Sequence, residues 1–259
     1  MSEFLATIAG HVRDEVRRRR RELPVSALRE RGFFHAPARG FASALRDHKR
    51  RIIAEVKKAS PSKGVIREDF NALAIARAYA VNGASAISVL TENKFFQGSL
   101  SYLEEIRSAV SVPLLRKDFI LDSYQITEAR SFGADAILLI AALLDGIQMR
   151  DFRQEASGLS LDVLVEVHNE AEHDAALTAG AHVLGINNRD LRTFRVSLAT
   201  TERLAALIPP GIPAVCESGI ETAEQIRRVE KIGIHAFLIG ETLMRAADPG
   251  QKLRELLQN

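Results

Sequence analysis

Four times along the chain, a stretch with helical spacing of apolar residues ends in glycine and turns at once into an apolar run. The junctions are Gly83-Ala84-Ser85-Ala86, Gly133-Ala134-Asp135-Ala136, Gly180-Ala181-His182-Val183 and Gly233-Ile234-His235-Ala236, at spacings of 50, 47 and 53 residues. Glycine just past a helix supplies the left-handed backbone of a C-cap. The short apolar run behind it is the pattern of a strand buried on both faces. Midway between the junctions lie further strand candidates at 51–57, 112–117, 162–167 and 212–217. Eight strands alternating with helices imply parallel βαβ units. Eight such units in about 210 residues predict a closed (β/α)8 TIM barrel of the α/β class rather than an open sheet. Ahead of them, Leu5, Ile8, Val12 and Val16 recur at spacings of three and four, an amphipathic helix. Residues 1–48 are therefore expected to form a helical extension, joined through the Pro- and Gly-containing stretch 37–40 to one barrel domain, the whole spanning 1–259. The extension is a candidate lid for the barrel rim, with Phe4 as the aromatic side chain it offers.

Composition narrows the class without naming a function. Hydrophobic residues make up 46% and charged residues 26% of 259, an ordinary globular balance that excludes disordered and fibrous chains. The longest apolar run, 136–144, is bounded by Asp135 and Asp145 and is far short of the ~20 residues of a membrane helix. One cysteine, Cys216, excludes an intramolecular disulfide and a cysteine zinc site, and the charged N-terminus does not read as a signal peptide. A cytoplasmic protein is expected. Residues 1–51 carry 13 Lys and Arg against 6 Asp and Glu, including the run Arg17 to Arg21. With no aromatic platform or groove-reading motif beside it, that run reads as the solvated face of the first helix, so no nucleic-acid partner is expected. No broad apolar patch stands out on the outward helix faces, and a monomer is expected.

In a barrel of this kind the chemistry lies at the C-terminal ends of the strands. There the sequence turns polar, with Glu55 and Lys57 on one face of the first strand by the period of two. Lys117, Glu166, Asn187 and Glu217-Ser218-Gly219 close the third, fifth, sixth and seventh. An ion-pair layer explains one or two such pairs. Two lysines and three glutamates converging on one rim favour a site, because Lys and Glu are almost never buried without partners. Gly219 after the seventh strand and Gly240-Glu241 after the eighth fall where barrels commonly bind phosphate through loop N–H groups. Cys216 is read as a packing residue, and His168 and His173 as loop and helix-face residues, since nothing pairs them with a nucleophile or a metal.

The stretch Ile52-Ile53-Ala54-Glu55-Val56-Lys57-Lys58-Ala59-Ser60-Pro61-Ser62-Lys63-Gly64 closely resembles the signature of the indole-3-glycerol phosphate synthase family. Family-like segments continue through Val89-Leu90-Thr91-Glu92 with Phe95-Phe96-Gln97-Gly98, and through Leu115-Arg116-Lys117-Asp118-Phe119 and Leu164-Val165-Glu166-Val167. They run on through Gly185-Ile186-Asn187-Asn188-Arg189-Asp190-Leu191, Glu217-Ser218-Gly219-Ile220 and Leu238-Ile239-Gly240-Glu241. Phe41-Ala42-Ser43-Ala44-Leu45 in the extension is a weaker match.

The resemblance implies conversion of 1-(o-carboxyphenylamino)-1-deoxyribulose 5-phosphate to indole-3-glycerol phosphate, with loss of carbon dioxide and water and with no metal or organic cofactor. By similarity Lys117 is the acid at the ribulose carbonyl, Glu166 its acid–base partner, and Glu55 a carboxylate that stabilises cationic character and orients the lysines. Lys57 binds the substrate carboxylate or phosphate, or donates a proton in the dehydration; the two lysine roles stay open. Asn187, Glu217 and Ser218 are implied to bond substrate hydroxyls and carboxylate. Ser60, Arg189, Gly219, Gly240 and Glu241 stand at the phosphate side, with the Glu241 side chain expected to turn away from the anion. Phe96, Phe119, Leu138, Leu191 and Leu238 resemble the wall that holds the aromatic ring, although apolar residues at strand ends also serve as core. Phosphoribosylanthranilate isomerase, or a silent sugar-phosphate-binding barrel, are the competing readings. The isomerase leaves Glu55 with Lys57, the Ser60-Pro61-Ser62 segment and the extension unexplained, and silence is at odds with the full set of acids and bases.

Overall fold

A computed structural model describes residues 3–46 and 49–258. The boundary expected at residue 48 and the chain ends at 1 and 259 lie outside the described residues. The barrel strands are β1 (Arg51–Val56), β2 (Ala86–Leu90), β3 (Leu114–Lys117), β4 (Ala136–Ile140), β5 (Asp162–Val167), β6 (Leu184–Asn187), β7 (Ala214–Glu217) and β8 (Ala236–Ile239). Each pairs in parallel with the next, and β8 returns to β1 through Arg51 opposite Ala236 and Ala54 opposite Ile239, closing the barrel. All eight predicted strands are present. The third and seventh start two residues later than the sequence pattern suggests, because Pro113 and Pro213 precede them and proline has no N–H for the ladder. Their carbonyls still accept, from Ile87 and Leu184.

The helices are α1 (Glu3–Glu22), α2 (Val25–Arg29), α3 (Phe41–Ala44), α4 (Ala72–Val81), α5 (Leu100–Ala109), α6 (Ser123–Ser131), α7 (Gly146–Gly158), α8 (Glu170–Thr178), α9 (Ala199–Ala205), α10 (Ala223–Glu230), α11 (Glu241–Arg245) and α12 (Pro249–Leu257). Side-chain acceptors start most of them. Asp122, Asp145, Asn169, Thr222 and Asp248 each take an N–H of the first turn. At the other ends the four junction glycines hold φ of 94°, 88°, 81° and 88°, the left-handed conformation the repeat predicts.

Alternation along each strand makes two cores. Ile52, Ala54, Val56, Cys216 and Phe237 face the helices, while Ile53, Leu115, Leu138, Leu164, Val215 and Leu238 fill the barrel interior. The interior is closed at the N-terminal ends of the strands by Phe41, Ala42 and Leu45. Asp162, at the start of β5, accepts the Ala42 N–H at 2.8 Å and so fixes α3 there.

The extension thus reaches both ends of the barrel. Phe4 and Leu5 of α1 lie at the C-terminal mouth. From there α1 packs on α6 through Ile8, Val12, Val16 and Tyr124, and the chain passes Arg39 and Pro37, both bonded into the Arg107–Asp135 pair, before Phe41 enters the opposite end. The arginine run is only partly a solvated face. Arg18 pairs with Glu15 and Glu22 on its own helix, but Arg19 stands 3.3 Å from the buried Glu128 and Arg20 pairs with Asp122, so two of the five dock α1 on α6.

Phe41 is fully buried and distant from the mouth. Phe41→Ala is expected to lower unfolding free energy by about 3–5 kcal/mol in guanidinium titration, with the activity of the folded fraction unchanged.

Candidate active site

The period of two that separates the two cores also aims one polar side chain from five of the eight strand ends at the barrel axis. Glu55 leaves β1, Lys117 β3, Glu166 β5, Asn187 β6 and Glu217 β7. All face one cavity of about 820 Å³ at the C-terminal mouth. Every residue expected from sequence to form the site lines this cavity, including the phosphate-side and apolar sets.

At its floor, Lys117 Nζ lies 3.1 Å from Glu166 Oε2 and 3.6 Å from Glu217 Oε2. Beside them Lys57 Nζ is 2.6 Å from Glu55 Oε1. Burial alone would pull the Lys117 ammonium down. The carboxylates of Glu166, Glu217 and Glu55 outweigh it and hold the lysine above its ordinary range, protonated at neutral pH. The two near glutamates split. Burial raises both, but Glu166, closer to Lys117 and also beside His168, is held well below the carboxylate range. Glu217 is pushed up to about 8, first by burial and then by the like charges of Glu166 and Glu55, against the pull of Lys117. Its Oε1 is buried with no hydrogen-bond partner. Two glycines make room for this arrangement. A Cβ on Gly185 of β6 would strike Glu217 Oε1, and one on Gly240 would strike Glu55 Oε1.

One flank of the cavity is apolar. Phe96 and Phe119 stand with ring centroids 6.0 Å apart, joined by Leu138, Leu191 and Leu238. Glu92 fixes Phe96 by accepting the N–H groups of Lys94, Phe95 and Phe96 at 2.7–3.0 Å. Phe4 lines the same cavity and meets Phe194 edge-on, with ring centroids 5.1 Å apart. The opposite flank is basic. Arg189, Lys63 and Arg245 surround Glu241 at 3.9, 4.0 and 2.9 Å. Ser218 and Gly219 there are successive residues at φ 65° and 86°, a turn conformation that gathers N–H groups. Ser218 Oγ donates to Asn187 Oδ1 at 3.0 Å, and the same oxygen accepts from the Arg189 N–H.

The barrel, the buried lysine among glutamates and the cavity's apolar and basic flanks stand together with a full-length match. The family model for indole-3-glycerol phosphate synthase matches residues 5–256. The chain belongs to the indole-3-glycerol phosphate synthase family. Among its relatives, the synthase of Chromobacterium violaceum is 50% identical over 260 residues, covering 99% of this chain and 98% of that protein. The synthase of a Roseiflexus species is 51% identical over 265 residues, with 99% and 98% covered. Among solved structures, 3-hexulose-6-phosphate synthase from Salmonella typhimurium aligns at TM-score 0.66 and 14% identity, covering 80% of this chain and 96% of that one. Thiamine phosphate pyrophosphorylase from Pyrococcus furiosus aligns at 0.62 and 19%, covering 82% and 95%. These two share the barrel. Membership of the synthase family places the chain among the carboxy-lyases of tryptophan biosynthesis.

The synthase site holds more than the sequence pattern yields. Lys63 and Arg245 join the basic flank, and Phe194 joins Phe4. The Glu241 carboxylate is the acidic group within reach of all three cations. His168 is not merely a loop residue. Its Nε2 is 3.4 Å from Glu166 Oε1 and its Nδ1 2.9 Å from Glu172 Oε2. The alternation that pairs Glu55 with Lys57 also pairs Glu166 with His168, and that signal was there to be read. His173, expected on a helix face, is buried beside Asp174.

Two outcomes test the floor. Gly185→Ala, in a backbone any residue adopts, is expected to displace Glu217 and lower kcat/KM about tenfold or more while circular dichroism stays unchanged. Glu217 has its pKa raised by folding, so its proton contributes stability that is complete below about pH 4.5 and lost as pH rises through about 8. Glu217→Gln, neutral at every pH, is expected to flatten the fall in Tm between pH 5 and pH 8, as read by calorimetry.

Proposed function

We propose that the chain closes the indole ring of 1-(o-carboxyphenylamino)-1-deoxyribulose 5-phosphate with Lys117 as general acid. The observation that carries this reading is the Lys117 ammonium, buried and protonated between Glu166 and Glu217 on the floor of the cavity. Ring closure needs a proton on the ribulose carbonyl oxygen as the ring carbon bearing the carboxylate attacks it. A lysine held charged in a closed site is suited to give that proton once the carbonyl oxygen lies against Nζ. Loss of carbon dioxide then restores the aromatic ring. Loss of the new hydroxyl as water, with a second proton taken by a base, completes the indole.

Glu166, ionised at neutral pH, is the base in this scheme. The Glu55–Lys57 pair, at 2.6 Å, assists the departing hydroxyl and offsets cationic character in the ring nitrogen. Glu217 enters as a neutral acid and donates to substrate, with Asn187 and Ser218 beside it. Phe96, Phe119, Leu138, Leu191 and Leu238 clasp the anthranilate ring. Ser60, Arg189 and the Gly219, Gly240 and Glu241 N–H groups take the phosphate at the other end of the cavity. Apolar contact at one end and ionic contact at the other fix the reacting carbon and carbonyl in register, which contributes to rate by orientation.

The proposed setting is a cytoplasmic monomer acting on this small molecule without metal or organic cofactor. Among the described residues no helix is long and apolar enough to cross a membrane. No group of three or more His, Cys, Asp or Glu among them is placed to hold a metal ion.

The chain has no tryptophan, so indole fluorescence grows against a tyrosine background. Mixing protein and substrate is expected to give that signal, and Lys117→Ala to reduce its rate by about 10²-fold or more with the fold intact. Substrate binding without indole would overturn the proposal in favour of an isomerase or a silent binding barrel.

A further inference from the structure

We propose that His168 is a positioning residue for Glu166: Glu172 clamps its ring so that Nε2 faces Glu166 Oε1 and gives the base a second cation besides Lys117. This rests on the reading of Glu166 as the acid–base partner. His168 follows β5 directly, and Glu172 on the first turn of α8 grips it twice. Glu172 Oε2 accepts the His168 backbone N–H at 2.9 Å and lies 2.9 Å from Nδ1. Glu172 is itself held, since its Oε1 accepts from Asn169 Nδ2 at 2.8 Å and its N–H donates to Asn169 Oδ1 at 3.0 Å. The ring therefore has one orientation, with Nδ1–H committed to Glu172. Nε2 is buried, makes no hydrogen bond, and lies 3.4 Å from Glu166 Oε1 as an ion-pair contact. The ring is not part of the cavity lining, so it acts on substrate only through Glu166.

The chemistry explains why a second cation is useful there. Glu166 Oε2 faces Lys117, whose proton goes to the substrate carbonyl oxygen in ring closure. At that moment Lys117 becomes neutral and its hold on Glu166 lapses. A buried carboxylate deprived of its only cation takes up a proton. An imidazolium on the other oxygen keeps Glu166 ionised and free to accept the proton released in dehydration.

The charged groups that face this pair are few. Lys117 comes from β3, Glu172 from α8 and Glu217 from β7, with Glu55 of β1 beyond Lys117. Asn187 of β6 adds a neutral hydrogen bond to Glu166, and the segment Ala141–Leu143 that packs on α8 brings no charge. Burial lowers His168, and the two carboxylates that face it prevail, lifting it to about 10.

The test is kcat/KM against pH for the wild type and His168→Gln, which keeps an N–H donor and drops the charge. Loss of the cation disfavours the Glu166 carboxylate, so the acidic limb is expected to move up by about one pH unit, with kcat reduced and KM at pH 8 unchanged. His168→Lys, which restores a cation, is expected to bring the limb back part of the way. An unmoved limb in a folded, active variant overturns the proposal, as does a change confined to Tm and KM. Should His168→Gln fail to fold, 15N spectra of histidine-labelled wild type decide: His168 as imidazolium at pH 8 supports the assignment and a neutral ring ends it. A wild type that forms no indole at any pH removes the reading of function itself, and this proposal falls with it.

Discussion

A single ammonium, that of Lys117, governs the arrangement of charge at the mouth of the barrel. Three glutamates lean toward the axis there, and like charges at such distances in a buried site oppose ionisation together. Lys117 lies nearest Glu166 and somewhat further from Glu217, and Glu55 has Lys57. The consequence is an unequal division in which Glu166 keeps its charge and Glu217 keeps a proton. Acid and base therefore arise from one residue type, separated by half an ångström of distance to the same cation and by what stands behind each carboxylate. Pairs of titratable groups driven apart by their surroundings are how a barrel performs acid and base chemistry at one pH.

Much of this was legible because a closed parallel barrel converts alternation along the strand into direction in space. The same alternation explains neighbours that look equally suited to chemistry and are not part of it. Arg116 precedes Lys117 and faces outward, fully buried against Asp118 and Glu128, where it fixes the loop that leaves β3. Asn188 follows Asn187 and also faces outward, taking the N–H and hydroxyl of Thr201 to start α9, while Arg189 returns to the cavity. Strand, turn and cap are local, so sequence carries them.

What was not legible depends on distance along the chain. His168 is the exception, because Glu172 clamps it from only four residues on and the strand alternation already sets it beside Glu166. Arg245 and Lys63 arrive at the basic flank from segments about 180 residues apart, and their pull on Glu241 has no local signature. Arg19 and Arg20 belong to a run whose pattern is that of a solvated face, and only the position of α6 makes them docking groups.

The path of the extension joins these observations. One segment supplies Phe4 to the cavity and, some forty residues later, Phe41 to the far end of the same barrel. Between them, Asp135 draws the Arg39 N–H, the Leu114 N–H and Arg107 onto one buried carboxylate, tying the extension to the start of β3. β3 is the strand that ends in Lys117. Its lower end is pinned through Asp135, and the loop beyond its upper end is pinned through Arg116, which shares Glu128 with Arg19 of α1. Both anchors of the lysine's strand thus involve the extension. An extension attached in this way through Asp135 and Glu128 is part of the frame that sets Lys117 against its glutamates.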